Sequence, residues 1–264
     1  MTIRALLGIA VLCIALVFGL AGAASAADEP KHPQDQDWVW EGPFGKFDRQ
    51  QLQRGYQVYK EVCSACHAMH LVAFRNLSQP GGPEFSEAQV KAIAAGFKFP
   101  TIDDKGEPAE RTGATADHFP SPYPNETASR AANNNALPPD LSVIIKAREG
   151  GADYVYALMT GYTDPPAEFT AKMLPGLNYN PYFQGEQIAM PAPLTSDGQV
   201  TWPEGNPPAT KQQMAKDVVA FLAWASEPKM EERKELGVQV MIFLAALSIL
   251  LYFSYKRVWR DVDH

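Results

Sequence analysis

Cysteine is scarce in this chain of 264 residues, which contains three cysteines and five histidines. Cys13 lies in an apolar N-terminal run, so Cys63 and Cys66 are the only cysteines in the rest of the chain. Two cysteines cannot form the set of disulfides that holds many small exported domains together. A tetrahedral zinc site needs two further ligands at a regular spacing, and no second CxxC pair or HxxxH pair follows.

Strand-like alternation and an excess of basic residues are also missing. The few strand patterns disfavour the βαβ setting of a thioredoxin-like dithiol. The chain has 23 basic and 30 acidic residues, a formal net charge of −7 at pH 7. This balance argues against nucleic acid as a partner and favours an acidic surface that attracts a basic protein.

Two long apolar runs lie near the ends of the chain. The run from Ala5 to Ala24 leads into a small-x-small pattern ending at Ala26, which is typical of a secretory signal cleaved after that residue. An uncleaved anchor helix is the alternative for this run. The uncharged run from Leu236 to Tyr255 would span roughly 30 Å as a helix, the thickness of a bilayer core.

These runs divide the sequence into three parts. We interpret residues 1–26 as a signal peptide, residues 27–228 as one exported domain, and residues 229–264 as a transmembrane anchor with a short tail. A chain exported from its N-terminus would place the 27–228 domain in the periplasm. Its C-terminal tail would then lie on the cytoplasmic side of a bacterial inner membrane.

The segment Cys63-Ser64-Ala65-Cys66-His67 has the CxxCH spacing of c-type haem attachment. Cysteines three residues apart share one face of a helical turn, so both thiols can reach the two vinyl groups along one haem edge. The imidazole of His67 then points at the iron from the proximal side. One such motif predicts one haem c, bound covalently through Cys63 and Cys66.

The residues before the motif predict a helix from Arg49 to Val62 with Asp48 as its N-cap. Gly55 in its middle costs about 1 kcal/mol relative to Ala, so we expect this position to admit the close approach of another helix. The expected partner is the amphipathic stretch 214–224. The apolar stripes that would meet are Leu52, Gly55, Tyr59 and Val62 on the first helix and Val218, Phe221 and Leu222 on the second.

The haem iron needs a second axial ligand opposite His67. His118 is possible, although it lies in a polar, proline-rich loop. Met173 in KMLPG and Met190 in IAMPAPL are better placed, and we favour Met190 because the prolines around it fix an extended backbone. A thioether ligand raises the reduction potential, which suits electron transfer at high potential. Met173 remains the alternative.

Four segments of the chain resemble the cytochrome c1 family, whose members are the haem-bearing subunits of the quinol–cytochrome c oxidoreductase (bc1) complex. The segments are RGYQVYKEVCSACHAMH, HFPSPYPNETASRAANNNALPPDLSVIIKAREGGADYVYALMTGY, LNYNPYFQGEQIAMPAPL and AKDVVAFLAWASEPKMEERK. Together with the anchor they cover most of residues 40–264. The resemblance implies an all-α architecture, namely a class I cytochrome c fold with enlarged loops plus one C-terminal transmembrane helix.

The resemblance also implies a set of haem contacts. Cys63 and Cys66 would carry the thioethers, and His67 and Met190 would be the axial ligands. The implied pocket residues are Arg148 at a haem propionate, Tyr154 in the same pocket, and a pocket wall of Asn133, Leu137, Pro138 and Pro139.

One local departure from the family concerns a turn. Where the family usually has NNG, this chain has Asn133-Asn134-Asn135. Asparagine tolerates the left-handed backbone conformation better than most residues, so we expect the turn to be retained.

The implied function is a one-electron relay within respiratory complex III. The chain would accept an electron from the Rieske iron–sulfur protein and pass it to a soluble cytochrome c or a similar periplasmic carrier, with cytochrome b as a further partner in a dimeric complex. It would be an electron-transfer subunit rather than a catalyst on its own. The alternatives are a stand-alone membrane-tethered carrier, which is commonly tethered at its N-terminus, and the haem subunit of a terminal oxidase.

Overall fold

Helices dominate the computed structural model, which describes residues 30–262. The α-helices are α1 (Arg49–Glu61), α2 (Glu87–Ala95), α3 (Glu126–Ala132), α4 (Gly151–Thr160), α5 (Ala167–Thr170), α6 (Lys211–Ser226) and α7 (Met230–Val258). Short 3-10 helices span Cys63–Ala65 and Phe74–Ser78. The helical architecture with one long C-terminal apolar helix confirms the predicted fold class. The predicted signal peptide, residues 1–26, lies outside the described residues.

Helix α1 begins where its capping residue predicts. The Asp48 carboxylate accepts hydrogen bonds from the backbone N–H groups of Gln50 and Gln51 at 2.9 and 3.2 Å. These bonds satisfy donors that have no partner inside the first turn of a helix. The helix ends at Glu61, one residue before the predicted end.

Helices α1 and α6 cross in close contact at Gly55, as predicted. A Cβ atom at Gly55 would lie 2.0 Å from the backbone oxygen of Asp217 and 2.8 Å from Cβ of Phe221. The rings of Tyr56 and Tyr59 lie 5.7 and 5.8 Å from the ring of Phe221. Only glycine permits this approach of the two backbones, and the hydrophobic core is built around the crossing.

A buried ion pair joins the same two helices. Arg54 on α1 donates from Nε to Oδ2 of Asp217 at 2.7 Å and from Nη2 to Oδ1 at 3.2 Å. Asn206 accepts from Arg54 at 3.1 Å, and Gln213 donates to Asp217 at 2.8 Å. The paired charges therefore have several hydrogen-bond partners, and the fork geometry fixes the rotation of α1 against α6.

Two short antiparallel hairpins accompany the helices. Strand β1 (Lys98–Ile102) pairs with β2 (Pro108–Thr112), and β3 (Asn178–Tyr179) pairs with β4 (Gln187–Ile188). The register of the first hairpin runs from Lys98 opposite Thr112 to Ile102 opposite Pro108. The sequence patterns did not predict these strands, whose side chains are mostly exposed in the first hairpin.

Helix α7 encloses the predicted transmembrane run and is bound to the domain at its first turns. By length and composition it is the one helix among residues 30–262 that could cross a membrane. Glu231 near its start forms an ion pair with Arg49 at 2.7 Å and accepts from the backbone N–H of Phe47 at 2.9 Å. Beyond these turns, from Leu236 onwards, its residues are exposed in the chain, as a lipid-facing helix requires.

Candidate haem-binding site

The CxxCH motif leaves α1 through a tight turn. The backbone N–H groups of Cys66 and His67 both donate to the carbonyl oxygen of Cys63, at 3.1 and 3.0 Å. These bonds hold the two thiols and the imidazole in one tight turn, which begins with the 3-10 helix Cys63–Ala65. Both cysteines are free and half-buried, so their sulfur atoms are available for thioether bonds.

The imidazole of His67 is oriented by a residue 72 positions away. Its Nδ1 lies 2.8 Å from the carbonyl oxygen of Pro139. A carbonyl can only accept, so Nδ1 carries the proton, and Nε2 is left with a free lone pair and no hydrogen-bond partner among residues 30–262. This is the tautomer that ligates a metal through Nε2 while its other nitrogen is held by a backbone carbonyl.

The protonation of His67 also suits a ligand. Burial lowers the pKa of the imidazole, and this effect exceeds the opposing effects of the Pro139 carbonyl and the Asp140 carboxylate. Because the pKa is lowered, the imidazole is neutral at neutral pH and can donate a lone pair.

Several hydrogen bonds join the segment that carries Pro139 to the residues after the CxxCH motif. Leu141 donates from its backbone N–H to the carbonyl of Ala68 at 2.8 Å. Asp140 accepts from the backbone N–H of His70 at 2.8 Å and lies 2.7 Å from its Nδ1. These bonds place the carbonyl of Pro139 where the imidazole of His67 needs an acceptor.

His118 lies on this same side of the site. Its Nδ1 is 2.5 Å from the carbonyl oxygen of His70, and an isolated β-bridge pairs it with Ala73. These contacts bind His118 to the chain that follows His67, an arrangement that does not favour it as a ligand opposite His67.

The Cys63 thiol does not have the properties of a reactive thiol in a redox dithiol. Burial, with a smaller contribution from Cys66, raises the pKa of the Cys63 thiol to about 12. A reactive dithiol needs a lowered pKa, because the thiolate is the nucleophile. No group of three or more His, Cys, Asp or Glu side chains that could hold a metal ion occurs in the part of the chain that the structure describes.

Met190 lies in a loop whose backbone is held by two polar side chains. Its carbonyl oxygen accepts a hydrogen bond from the hydroxyl of Tyr162 at 3.0 Å and from the amide of Asn178 at 3.3 Å. The side chain of Met190 is half-buried and lies just after strand β4. The loop is therefore fixed by contacts with the residue Tyr162, just after α4, and with β3, as well as by its prolines.

Tyr162 connects Met190 to two of the predicted pocket residues. Burial raises the pKa of Tyr162, and the nearby Tyr154 raises it further. Burial also raises the pKa of Tyr154, and Arg148 opposes that effect. The charge of Arg148 thus acts on Tyr154, and Tyr154 acts on Tyr162, whose hydroxyl holds the methionine loop.

The asparagine turn is retained in the predicted conformation. Asn134 and Asn135 have φ values of 51° and 62°, in the left-handed region. The amide of Asn134 donates to the carbonyl of Gly176 at 3.1 Å, and Arg130 donates to the carbonyl of Asn135 at 3.2 Å. The turn therefore binds the loop that follows Met173.

The other predicted residues are placed as follows. Asn133 ends helix α3 and donates from its amide to the carbonyl of Ser129 at 2.7 Å. Leu137 is 37% exposed, and Pro138 is half-buried directly before the carbonyl that holds His67. Met173 is half-buried after helix α5.

The structure thus forms two groups of predicted residues. One contains Cys63, Cys66, His67 and Pro139, and the other contains Arg148, Tyr154 and Met190. No hydrogen bond or ion pair among residues 30–262 joins the two groups directly. This donor set fits a haem: two sulfur atoms on one turn, an imidazole with a free Nε2, and a thioether in a separately held loop.

The sequence did not predict the roles of three residues in this arrangement. Tyr162 and Asn178 hold the methionine loop, and Asp140 holds the segment around Pro139. Each forms a hydrogen bond with a backbone atom of a residue distant in the sequence. Such a contact produces no periodic pattern in the sequence from which it could be predicted. The only available indication was their position within the segments that carry the resemblance.

The sequence of the chain is similar to those of known proteins. The model of the Cytochrome C1 family matches residues 38–262. A cytochrome c1 of Rhodospirillum rubrum is 45% identical over 270 residues, covering 97% of this chain and 97% of that protein. A mitochondrial cytochrome c1, heme protein, of Saccharomyces cerevisiae is 46% identical over 243 residues, covering 92% of this chain and 77% of that protein.

A further relative is a longer protein. The cytochrome b/c1 of Bradyrhizobium diazoefficiens is 46% identical over 281 residues, which cover 96% of this chain and 40% of that protein. The chain therefore spans two fifths of this relative.

Proposed function

The chain belongs to the cytochrome c1 family, and on this basis we propose that it carries one covalently bound haem c and transfers single electrons within a bc1 complex. The electron would come from the Rieske iron–sulfur protein and pass to a soluble cytochrome c or a similar carrier. Cytochrome b would be a further partner, in a dimeric complex. The observation that carries the proposal is the hydrogen bond from Nδ1 of His67 to the carbonyl of Pro139, which presents Nε2 as a ligand.

Each group of the site has a distinct part in this function. Cys63 and Cys66 would hold the cofactor covalently, and His67 and Met190 would provide the axial ligands. A bound haem supplies the Fe(III)/Fe(II) couple that takes up and gives away the electron. The protein would hold both ligands in place, because the Pro139 carbonyl orients the His67 ring and the Met190 backbone is held through its own carbonyl.

The pocket residues would set the charge and polarity around the cofactor. The exposed guanidinium of Arg148, beside Tyr154, is suited to a haem propionate, since a guanidinium pairs with a carboxylate through two hydrogen bonds. Leu137 and Pro138 offer apolar atoms next to the proximal ligand. An apolar surround favours the less charged Fe(II) state and so raises the potential.

The membrane arrangement follows from the same proposal. Residues 27–228 would form the haem domain in the periplasm, after removal of residues 1–26. Helix α7 would anchor the chain once in the inner membrane and leave a short cytoplasmic tail.

The test is the visible spectrum of Met190→Leu beside the wild type, with Met173→Leu as the matched control. The wild type should show a sharp reduced α-band that stays with the polypeptide in acid acetone, and a weak far-red band when oxidised. Met190→Leu should keep the covalent haem, lose the far-red band and bind carbon monoxide. Met173→Leu should leave all three properties unchanged.

Two outcomes would contradict the proposal. An unchanged spectrum in Met190→Leu would exclude Met190 as the distal ligand. A pigment that acid acetone extracts from the wild type would exclude the thioether bonds at Cys63 and Cys66.

A further inference from the structure

The loop before helix α1 exposes apolar side chains beside the start of the membrane helix. Phe44 is 79% exposed and Val39 is 60% exposed. They belong to residues 39–46, which we call the 39–46 loop. Trp40 in this loop is buried and stacks on Trp38 with ring centroids 4.7 Å apart. The loop is therefore held in place by its own aromatic side chains, while the ring of Phe44 points away from the core.

The first turns of α7 fix the position of the 39–46 loop relative to the membrane helix. The ammonium group of Lys234 donates to the carbonyl oxygen of Trp40 at 2.5 Å and to that of Gly45 at 3.0 Å. The apolar run of α7 begins at Leu236, two residues after this lysine. Both ends of the loop are thus bound at the level where the helix would enter the bilayer.

A groove of about 600 Å³ continues from the loop onto the helix. Phe44 of the loop and Val238 and Gln239 of α7 all line it. Val238 belongs to the apolar run from Leu236 to Tyr255. A bilayer that surrounds this run at Val238 therefore reaches the groove that Phe44 lines.

The charges around the groove have both signs. Besides the ion-paired side chains of Arg49, Glu84 and Glu231, the groove is lined by basic Lys46 and Lys234 and by acidic Glu232 and Glu235. A zwitterionic phospholipid headgroup carries a phosphate and an amine and can pair with both signs. Phe44 beside these charges has the character of the aromatic residues that occupy the interface between headgroups and acyl chains.

We propose that the 39–46 loop is a second membrane contact of this chain, in which Phe44 inserts into the interface and a phospholipid occupies the groove between the loop and α7. The contact would couple the haem domain to the membrane at a fixed distance, in addition to the covalent continuity of α6 and α7. The proposal needs α7 to span the bilayer and is independent of the identity of the haem ligands.

The test uses a spin label at Phe44→Cys in the full chain with bound haem, in a Cys13→Ser background. The protein is kept in nanodiscs formed from its native membrane, so that any partner subunits stay attached. Collisions of the label with oxygen, which concentrates in lipid, are compared with collisions with a water-soluble nickel chelate. The matched control is Ile102→Cys on strand β1, where the native side chain is 70% exposed.

The label at Phe44→Cys should collide more often with oxygen than with nickel, and the label at Ile102→Cys should show the reverse. A preference for nickel at both sites would place the loop in water and overturn the proposal. Protection from both reagents at Phe44→Cys would show that a protein covers the loop, and would overturn it equally.

A second measurement needs no substitution. The unmodified protein is photolysed in vesicles of phosphatidylcholine that carry a diazirine on the acyl chain near the headgroup. Lipid adducts should appear on residues 39–46 and not on residues 98–112. Adducts on α7 alone would show that the membrane surrounds the helix without reaching the loop.

Discussion

A single hydrogen-bond acceptor determines which ring nitrogen of His67 carries the proton. The acceptor is the backbone carbonyl of Pro139, so the side chain at this position is not what holds the imidazole. Proline contributes a restricted φ angle, which limits the directions in which its carbonyl can point. The resemblance indicated that Pro139 belongs to the pocket wall, but its orienting contact is visible only in the structure.

With Met190 as the proposed iron ligand, we expect Tyr162→Phe to weaken that ligation. The substitution removes the hydroxyl that donates to the Met190 carbonyl at 3.0 Å and keeps the ring. Loss of one such hydrogen bond costs about 1 kcal/mol, which corresponds to about a fivefold change in an equilibrium constant. Imidazole should therefore displace the methionine at about fivefold lower concentration, as followed by the far-red band of the oxidised protein.

Tyr156→Phe is the control for this experiment. Tyr156 lies in the C-terminal half of helix α4, which ends shortly before Tyr162, but its hydroxyl has no hydrogen-bond partner within residues 30–262. Its midpoint of imidazole displacement should equal that of the wild type. Equal midpoints for both variants would show that Tyr162 does not support the ligand.

The packing of α1 against α6 shows what sequence patterns can and cannot predict. The cap at Asp48 and the glycine at Gly55 were sufficient to predict the helix and its close crossing, because each has a local physical cause. The ion pair of Arg54 and Asp217 was not predictable. A lone charge in a helical pattern is usually solvated, and its partner lies 163 residues away.

Hairpin β1–β2 was missed for a different reason. Its burial pattern leaves most side chains exposed, so the alternation of apolar and polar residues is weak. Pro100 in the first strand further reduces the signal, because proline removes a backbone donor. A two-stranded sheet tolerates the missing N–H of Pro100, because each strand pairs on one side only.

We expect Asp217→Leu to destabilise the haem domain strongly. It leaves the buried guanidinium of Arg54 without its carboxylate, and an uncompensated buried charge costs about 3–5 kcal/mol. The double variant Arg54→Met/Asp217→Leu removes both charges and should recover a large part of that loss. Urea unfolding in detergent, followed by tryptophan fluorescence, gives the free energy of unfolding of each variant. A double variant that is no more stable than Asp217→Leu would contradict the assignment of the loss to an unpaired buried charge.

The whole chain carries a formal net charge of −7 at pH 7. Opposite charge on a soluble partner speeds the encounter, and salt screens this attraction over about 8–10 Å at physiological ionic strength. The rate of electron transfer to a basic cytochrome c should therefore fall as salt rises, when measured by stopped flow on the reduced protein. An acidic cytochrome c is the control, and its rate should stay level or rise.

The haem site would be completed in an order set by how far apart its residues lie in the sequence. The two cysteines and His67 lie within five consecutive residues, so a maturation enzyme can act on them while the chain is still unfolded. The carbonyl that fixes the tautomer comes 72 residues later, and Met190 comes later still. In the proposed function, thioether formation would thus be a local event, whereas orientation of His67 and ligation by Met190 would depend on the closure of long loops. A nascent chain that ends before Pro139 could hold its cofactor covalently while the iron still lacks the coordination that sets its potential.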